Sequence, residues 1–291
     1  MARSFVHVDV FAAAPYSGNS LAVFPDARGL DADQMLRITQ ELRHFEAIFL
    51  EPTPRTAVYR ARVYDLFQEL PFAGHPLIGA AAVLHRRAGA AASRHWRIEL
   101  PAKSVTVSTE MAGSQILGGL AQGDAEFLGV VADRKTIAAA LSLRPADLIA
   151  DLPLEVVSTG LRYLVVPVVA GVLERARIVS DLTRTLQIYG AQFAVLLDEA
   201  AREQRHWNND SVMEDVATGS AAGVIGAYRL RHGLTPSGQR FDLHQGRFTG
   251  RPSVLQVTPT RTELGGIEVE VSGLVSFVGQ GELEVLPGRK L

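Results

Sequence analysis

The chain contains no cysteine, which excludes disulfides, thiolate nucleophiles and metal or iron–sulfur sites built on sulfur. Nor does one sign of charge dominate: 29 Lys and Arg face 31 Asp and Glu, a formal net charge of −2. Nothing electrostatic therefore points to nucleic acid or an anionic membrane as a partner. Aromatic residues make up only 7%, and Trp96 and Trp207 are too isolated to form a base-stacking platform. Long apolar runs are missing too. The most apolar stretch, 164–173, contains Pro167 and is about half the ~20 residues a membrane helix needs. Asp9 interrupts the apolar N-terminal run before a signal-type core can form. No GxGxxG, P-loop, nucleophile-elbow or HExxH pattern occurs, so nucleotide, serine-hydrolase and metal readings lack support. With 291 residues and 47% apolar content, the chain reads as a globular cytoplasmic protein of one large or two medium domains. Its chemistry must run on oxygen and nitrogen groups.

What is present is an internal repeat. Glu69-Leu70-Pro71-Phe72-Ala73-Gly74-His75 precedes a run of small residues from Leu77 to Arg87, closed by Gly89. Glu214-Asp215-Val216-Ala217-Thr218-Gly219-Ser220 precedes a similar run from Ala221 to Arg231, closed by Gly233. Gly74 and Gly219 are 145 positions apart. Phe45–Leu50 matches Gln192–Leu197 at an offset of 147, and Ile98–Leu100 matches Phe241–Leu243 at 143. Three blocks in one order predict two similar α/β halves, 1–118 and 119–291, with a C-terminal strand free to cross over.

Alternating segments predict strands at 5–11, 45–50, 58–66, 96–100, 104–109, 155–158, 163–169, 193–197, 254–258, 267–271 and 282–286. Asp31 opens an amphipathic helix that runs to Leu42. The two repeated helices differ from it, because their first turns have no polar face and must be buried all round. Their tiny side chains let strands approach closely. Each half is therefore expected to be a sheet curled around one central helix.

Each repeated turn ends in Gly and a polar residue just before its buried helix. The first turn of a helix offers unpaired N–H groups and partial positive charge, and glycine admits close approach. Two such ends facing one cleft could hold a carboxylate or oxyanion. A helix cap would explain either turn alone; two matched turns favour a site. His75, Asp215 and Glu46 are the candidate proton carriers. Glu46 stands in the apolar run FEAIFL, where a carboxylate is costly unless paired or functional. Desolvation favours the protonated form of a carboxyl, which suits it to acid/base work.

At these residues the sequence resembles the PhzF family of phenazine-biosynthesis isomerases. The resemblance rests on Val8-Asp9-Val10-Phe11, Gly18-Asn19, Glu46, Glu69 to Pro76, Ser158-Thr159-Gly160, Glu214-Asp215, Ala217 to Ser220, and Gln245-Gly246 with Gly250 to Ser253. It implies an α+β, diaminopimelate epimerase-like fold: two pseudo-symmetric halves, each a β-barrel-like sheet around a central helix, with the active site at their interface. It also implies a cofactor-free, metal-free homodimer acting on a small carboxylated molecule. The family's best-understood reaction isomerises trans-2,3-dihydro-3-hydroxyanthranilate by moving a proton between ring carbons. Carried over, Glu46 takes and returns that proton, and His75, Asp215 and Ser220 complete the catalytic set. Gly74, Gly219, Asn19 and Thr218 bind the substrate.

Racemases of this fold use two thiols, and a chain without cysteine cannot run that chemistry. A single carboxylate favours one-face transfer, hence isomerisation. Three positions depart from the family pattern: Ser20 and Val216 stand where Pro is common, and Asp65-Leu66 replaces Thr-Pro. They put the phenazine substrate in question while leaving Glu46 and its partners in place. Two other readings stand beside isomerisation: a non-catalytic metabolite-binding protein, and a racemase or lyase using the same carboxylate.

Overall fold

The computed structural model describes residues 2–89 and 92–288. These divide into two compact units, 1–120 with 272–291, and 121–271.

The first unit contains β1 (Arg3–Val10), β2 (Asn19–Phe24), α1 (Ala32–Leu42), β3 (Glu46–Pro52), β4 (Val58–Asp65), the short β5 (Glu69–Leu70), α2 (Gly74–Arg87), β6 (Arg94–Glu99) and β7 (Ser104–Ala112). It also holds most of β8 (Gln115–Asp124). The second unit holds β9 (Glu126–Val131), α3 (Arg134–Ala140), β10 (Leu154–Ser158), β11 (Arg162–Val168), α4 (Thr183–Ile188), β12 (Phe193–Asp198), β13 (Glu203–His206), α5 (Gly219–Arg231), β14 (Phe241–Gln245) and β15 (Ser253–Arg261). The last strand, β16 (Ile267–Leu283), begins in the second unit and ends in the first. The strands expected at 267–271 and 282–286 are thus one 17-residue strand. It stops at Leu283 because the chain turns away at Glu284.

The repeat extends to strand pairing. In the first unit β1–β2, β2–β3, β3–β4, β4–β6 and β6–β7 pair antiparallel, parallel, antiparallel, parallel and antiparallel. In the second, β10–β11, β11–β12, β12–β13, β13–β14 and β14–β15 follow the same sequence. Each parallel step needs a crossover. In both units the second crossover carries the buried helix: α2 between β4 and β6, α5 between β13 and β14.

In each unit the strands curl around the buried helix. α2 packs against β1, β2, β3, β6 and β7, and β1 also pairs with Val275–Leu283 of β16. α5 packs against β10, β11 and β15, which lie well apart in the strand order. Every α2 residue from His75 to His85 is buried, as is every α5 residue from Ala221 to Leu230. Small side chains make this fit. A Cβ on Gly79 would lie 2.5 Å from Leu21 Cδ2, and one on Gly226 would lie 2.6 Å from Val257 Cγ1. A larger residue at either position would push a strand off its helix.

The outer face of the first sheet carries α1, which begins with a complete capping box between Asp31 and Gln34. Met35 and Ile38 cover Phe24, Phe49 and Tyr64, with Phe24 and Phe49 stacked at 4.6 Å. Along β3, therefore, Phe49 serves the outer core, and the residue that opens the strand, Glu46, is turned inward.

Candidate active site

In the first unit the site is built on β2, β3 and the start of α2. Glu46 is the first residue of β3 and is paired in register with Leu21 of β2. Paired residues share a sheet face, and Leu21 packs against α2 at Gly79. The Glu46 carboxylate consequently points toward the central helix. Its Oε2 lies 3.6 Å from Nε2 of His75, with side-chain exposures of 20% and 9%. On the other side of the ring, Asn19 Nδ2 is 3.5 Å from His75 Nδ1. An amide nitrogen can only donate. This contact therefore makes Nδ1 the acceptor and leaves the neutral ring's proton on Nε2, facing Glu46.

The Gly-polar dipeptides expected to precede the helices are helical themselves. Gly74 and His75 open α2, and Gly219 and Ser220 open α5. Glycine reads as turn in sequence, yet the first helical turn tolerates it because the N–H groups there have no intrahelical partner. The preceding residues, Ala73 and Thr218, make no side-chain cap on their helices. Both N-termini thus lack the side-chain cap that a purely structural turn would supply.

In the second unit the segment 214–220 is held by a dense polar network. Gln245, on β14, donates from Nε2 to Asp215 O (2.8 Å) and Thr218 Oγ1 (3.0 Å) and accepts Thr218 N–H on Oε1 (2.8 Å). Gln204 of β13 donates to the same Oε1 at 2.6 Å and to Thr218 O at 3.2 Å. Thr218 in turn donates its hydroxyl to Asp215 Oδ2 at 2.6 Å. Upstream, the Arg205 guanidinium holds Glu214 at 2.7 and 2.8 Å. Thr218 is thus engaged on its N–H, its carbonyl and its hydroxyl, and it fixes the Asp215 carboxylate.

Ser220 has a partner that sequence reading missed. Its Oγ lies 2.8 Å from the hydroxyl of Tyr163 on β11. Burial raises the Tyr163 hydroxyl far above its ordinary value, with the Asp215 charge adding to the effect, so it stays protonated. The Tyr163 ring packs on Phe193 and meets His206 edge-on, each 5.4 Å away. His206 is buried. Burial pushes its pKa down, and its Nδ1 lies 2.9 Å from Ala194 O. Asp215 N–H in turn donates to His206 O at 3.0 Å.

The predicted residues therefore fall into two constellations. Asn19, Glu46, Gly74 and His75 come together in the first unit, and Asp215, Thr218, Gly219 and Ser220 in the second, joined there by Tyr163, His206, Gln204 and Gln245. Two of the departures from the family pattern have local explanations. Asp65 Oδ1 accepts the N–H groups of Phe67 (2.7 Å) and Gln68 (2.6 Å), so its charge is used in a turn. Ser20 bridges two imidazoles on the outer face, 2.9 Å from His7 Nε2 and 2.8 Å from His44 Nδ1. Among the described residues no cluster of three or more His, Asp or Glu has metal-site geometry, and no helix is long and apolar enough to cross a membrane.

The profile of the PhzC-PhzF family, described as phenazine biosynthesis-like protein, matches residues 8–281. The trans-2,3-dihydro-3-hydroxyanthranilate isomerase of Pseudomonas chlororaphis is 30% identical over 288 residues, covering 96% of this chain and 98% of its own. The solved structure of a predicted epimerase from Pseudomonas aeruginosa is 46% identical, with a TM-score of 0.89 over 97% of this chain and 99% of that one. A hydroxyproline epimerase from Agrobacterium vitis, 13% identical, aligns with a TM-score of 0.60 over 97% and 92% of the two chains. That likeness concerns the fold alone, which is the diaminopimelate epimerase-like architecture that the family resemblance implies.

Proposed function

Because the chain belongs to the PhzC-PhzF family of phenazine biosynthesis-like proteins, a family of isomerases, we propose that it moves a proton within a small carboxylated, cyclic or unsaturated metabolite without a cofactor. Glu46 is the acid/base. Its carboxylate takes a proton from a C–H bond next to a conjugated system, the electron pair spreads into that system, and the carboxyl group, whose proton exchanges with solvent, returns one to a different carbon. His75, protonated on Nε2, steadies the carboxylate while it is charged. Asp215, Ser220 and the first-turn N–H groups near Gly74 and Gly219 bind the polar end of the substrate and stabilise charge as it develops.

The observation that carries this reading is the 3.6 Å separation of Glu46 Oε2 and His75 Nε2. Inverting a carbon between these two groups would require about 6 Å between them, roughly 3 Å on either side of the reacting atom. Groups this close work side by side on one face, which favours transfer between carbons over racemisation. Support for the substrate class comes from the named activity of the Pseudomonas chlororaphis relative.

The test is to incubate the protein with trans-2,3-dihydro-3-hydroxyanthranilate in D₂O, following its ultraviolet spectrum and deuterium content. The expected result is conversion with deuterium in the product, lost in Glu46→Gln. Undiminished exchange by Glu46→Gln would overturn the assignment of the base. Binding without any exchange by the wild-type protein would favour a metabolite-binding role.

A further inference from the structure

The far end of α2 borders a cavity of about 640 Å³ within the first unit. It is bounded by the last turn of α2, the loop after β1, the β7–β8 hairpin and residues 275–277 of β16. That volume is ample for a small organic molecule. The lining includes Met111, Ile116 and Phe277, the polar side chains of Ser114, Gln115 and His85, and the guanidinium of Arg86; among the described residues no Asp or Glu lines it.

Arg86 is the informative residue. Its guanidinium carbon sits 4.1 Å from the centroid of the Phe277 ring, so one face is stacked. Among the described residues it has no ion pair, whereas Arg28, Arg55, Arg62, Arg205 and Arg229 each hold a carboxylate. A guanidinium stacked on one face keeps its N–H edge for planar, bidentate recognition of a carboxylate. The neighbouring polar wall is fixed: Gln115 Nε2 donates to Ser276 Oγ at 2.8 Å and to Ala12 O at 3.3 Å, and Ser276 Oγ donates to Ala12 O at 3.0 Å. A guanidinium stacked on an aromatic ring, with no acid among the described lining residues and an apolar wall, selects a compact anion with a flat apolar body.

We propose that this cavity is a second ligand site, which takes a small aromatic or unsaturated carboxylate through Arg86 and Phe277. It lies at the opposite end of α2 from His75. The helix has 14 residues, about 20 Å at 1.5 Å per residue, so the site is separate from the constellation around Glu46.

The test is a fluorine NMR titration with 4-fluorobenzoate on the full chain, comparing wild type, Arg86→Met, Ser114→Glu and the active-site variant Asp215→Asn. Arg86 and Ser114 are exposed, so both variants are expected to fold, as far-ultraviolet circular dichroism would verify. Saturable binding is expected in the wild type and in Asp215→Asn. Arg86→Met should weaken it at least about tenfold, and Ser114→Glu should weaken it by repulsion. Three outcomes overturn the site: equal affinity in Arg86→Met, loss of all binding in Asp215→Asn, or no saturable binding by the wild type up to roughly 10 mM.

Discussion

His75 presents Nε2 to the Glu46 carboxylate at 3.6 Å, and the Asn19 amide approaches Nδ1 on the far side of the ring. Asn19 therefore sets the tautomer through which His75 acts. Asn19→Asp tests this directly. A carboxylate accepts rather than donates, so it draws the ring proton to Nδ1 and turns a lone pair toward Glu46. The expected outcome is a fall in kcat of about 10²-fold, within the usual range for disturbed acid/base groups, with KM changed much less. Equal losses in Asn19→Asp and Asn19→Ala would show that packing, not the tautomer, is what Asn19 supplies.

The pairing of Tyr163 with Ser220 makes a second prediction. Tyr163→Phe removes one buried hydrogen bond, which costs about 1 kcal/mol of stability, and frees the Ser220 hydroxyl to rotate. We expect kcat/KM to fall roughly tenfold by the loss of one oriented hydrogen bond. Ser220→Ala leaves the Tyr163 hydroxyl without this partner. A double-mutant cycle on urea midpoints should show that Tyr163→Phe costs less in the Ser220→Ala background, a coupling of about 1 kcal/mol. Additive losses would mean that the 2.8 Å contact contributes nothing.

Much of this architecture is legible in the sequence because it is repeated. The matched glycine turns and the small-residue helices break local rules in corresponding places, and the carboxylate in FEAIFL breaks one in the first half alone, where its counterpart is Phe193. The unread part is polar residues buried by partners distant in sequence. β13 reads Glu-Gln-Arg-His and was not expected to be a strand, yet all four residues are buried. Glu203 meets Arg247, Gln204 binds Gln245, and Arg205 holds Glu214 beneath the rings of Trp207 and Phe248. No alternation of apolar and polar residues marks such a strand, since charges become burial-compatible only once paired. Tyr163 and His206 escaped notice for the same reason: their roles depend on Ser220 and Asp215, 57 and 9 residues away. Strands β2, β5, β8, β9 and β14 were also unread; Gly interrupts the apolar pattern of β8 and β9, and β5 has only two residues.

Close packing at Gly226 inverts an ordinary expectation. Gly→Ala in a helix interior usually stabilises by about 0.5–1 kcal/mol. Here the new methyl would lie 2.6 Å from Val257 Cγ1 and 2.9 Å from Val269 Cγ1, so β15 and the start of β16 must shift. Gly226→Ala should destabilise by about 1–3 kcal/mol through overpacking, and adding Val257→Ala should recover part of that loss. Chemical denaturation of the three proteins decides it. A more stable Gly226→Ala variant would mean that the sheet yields without cost.

The last prediction concerns acid. His206 is buried, and its pKa lies below the ordinary 6.5 because desolvation disfavours the imidazolium. The unfolded chain therefore binds a proton at this residue at a higher pH than the folded chain does. Stability contributed by neutral His206 is complete above about pH 6.5 and is lost as pH falls below it, by at most about 1.4 kcal/mol per pH unit for one proton. Urea midpoints measured at pH 7.5, 6.5 and 5.5 should fall toward acid in the wild type and fall less steeply in His206→Asn, which cannot titrate. Other groups also respond to acid, so the difference between the two slopes is the quantity that isolates His206. Parallel slopes would mean that the folded and unfolded states protonate this residue alike, and Tyr163 and Ser220 would then have a neighbour that charges on acidification rather than a fixed neutral wall.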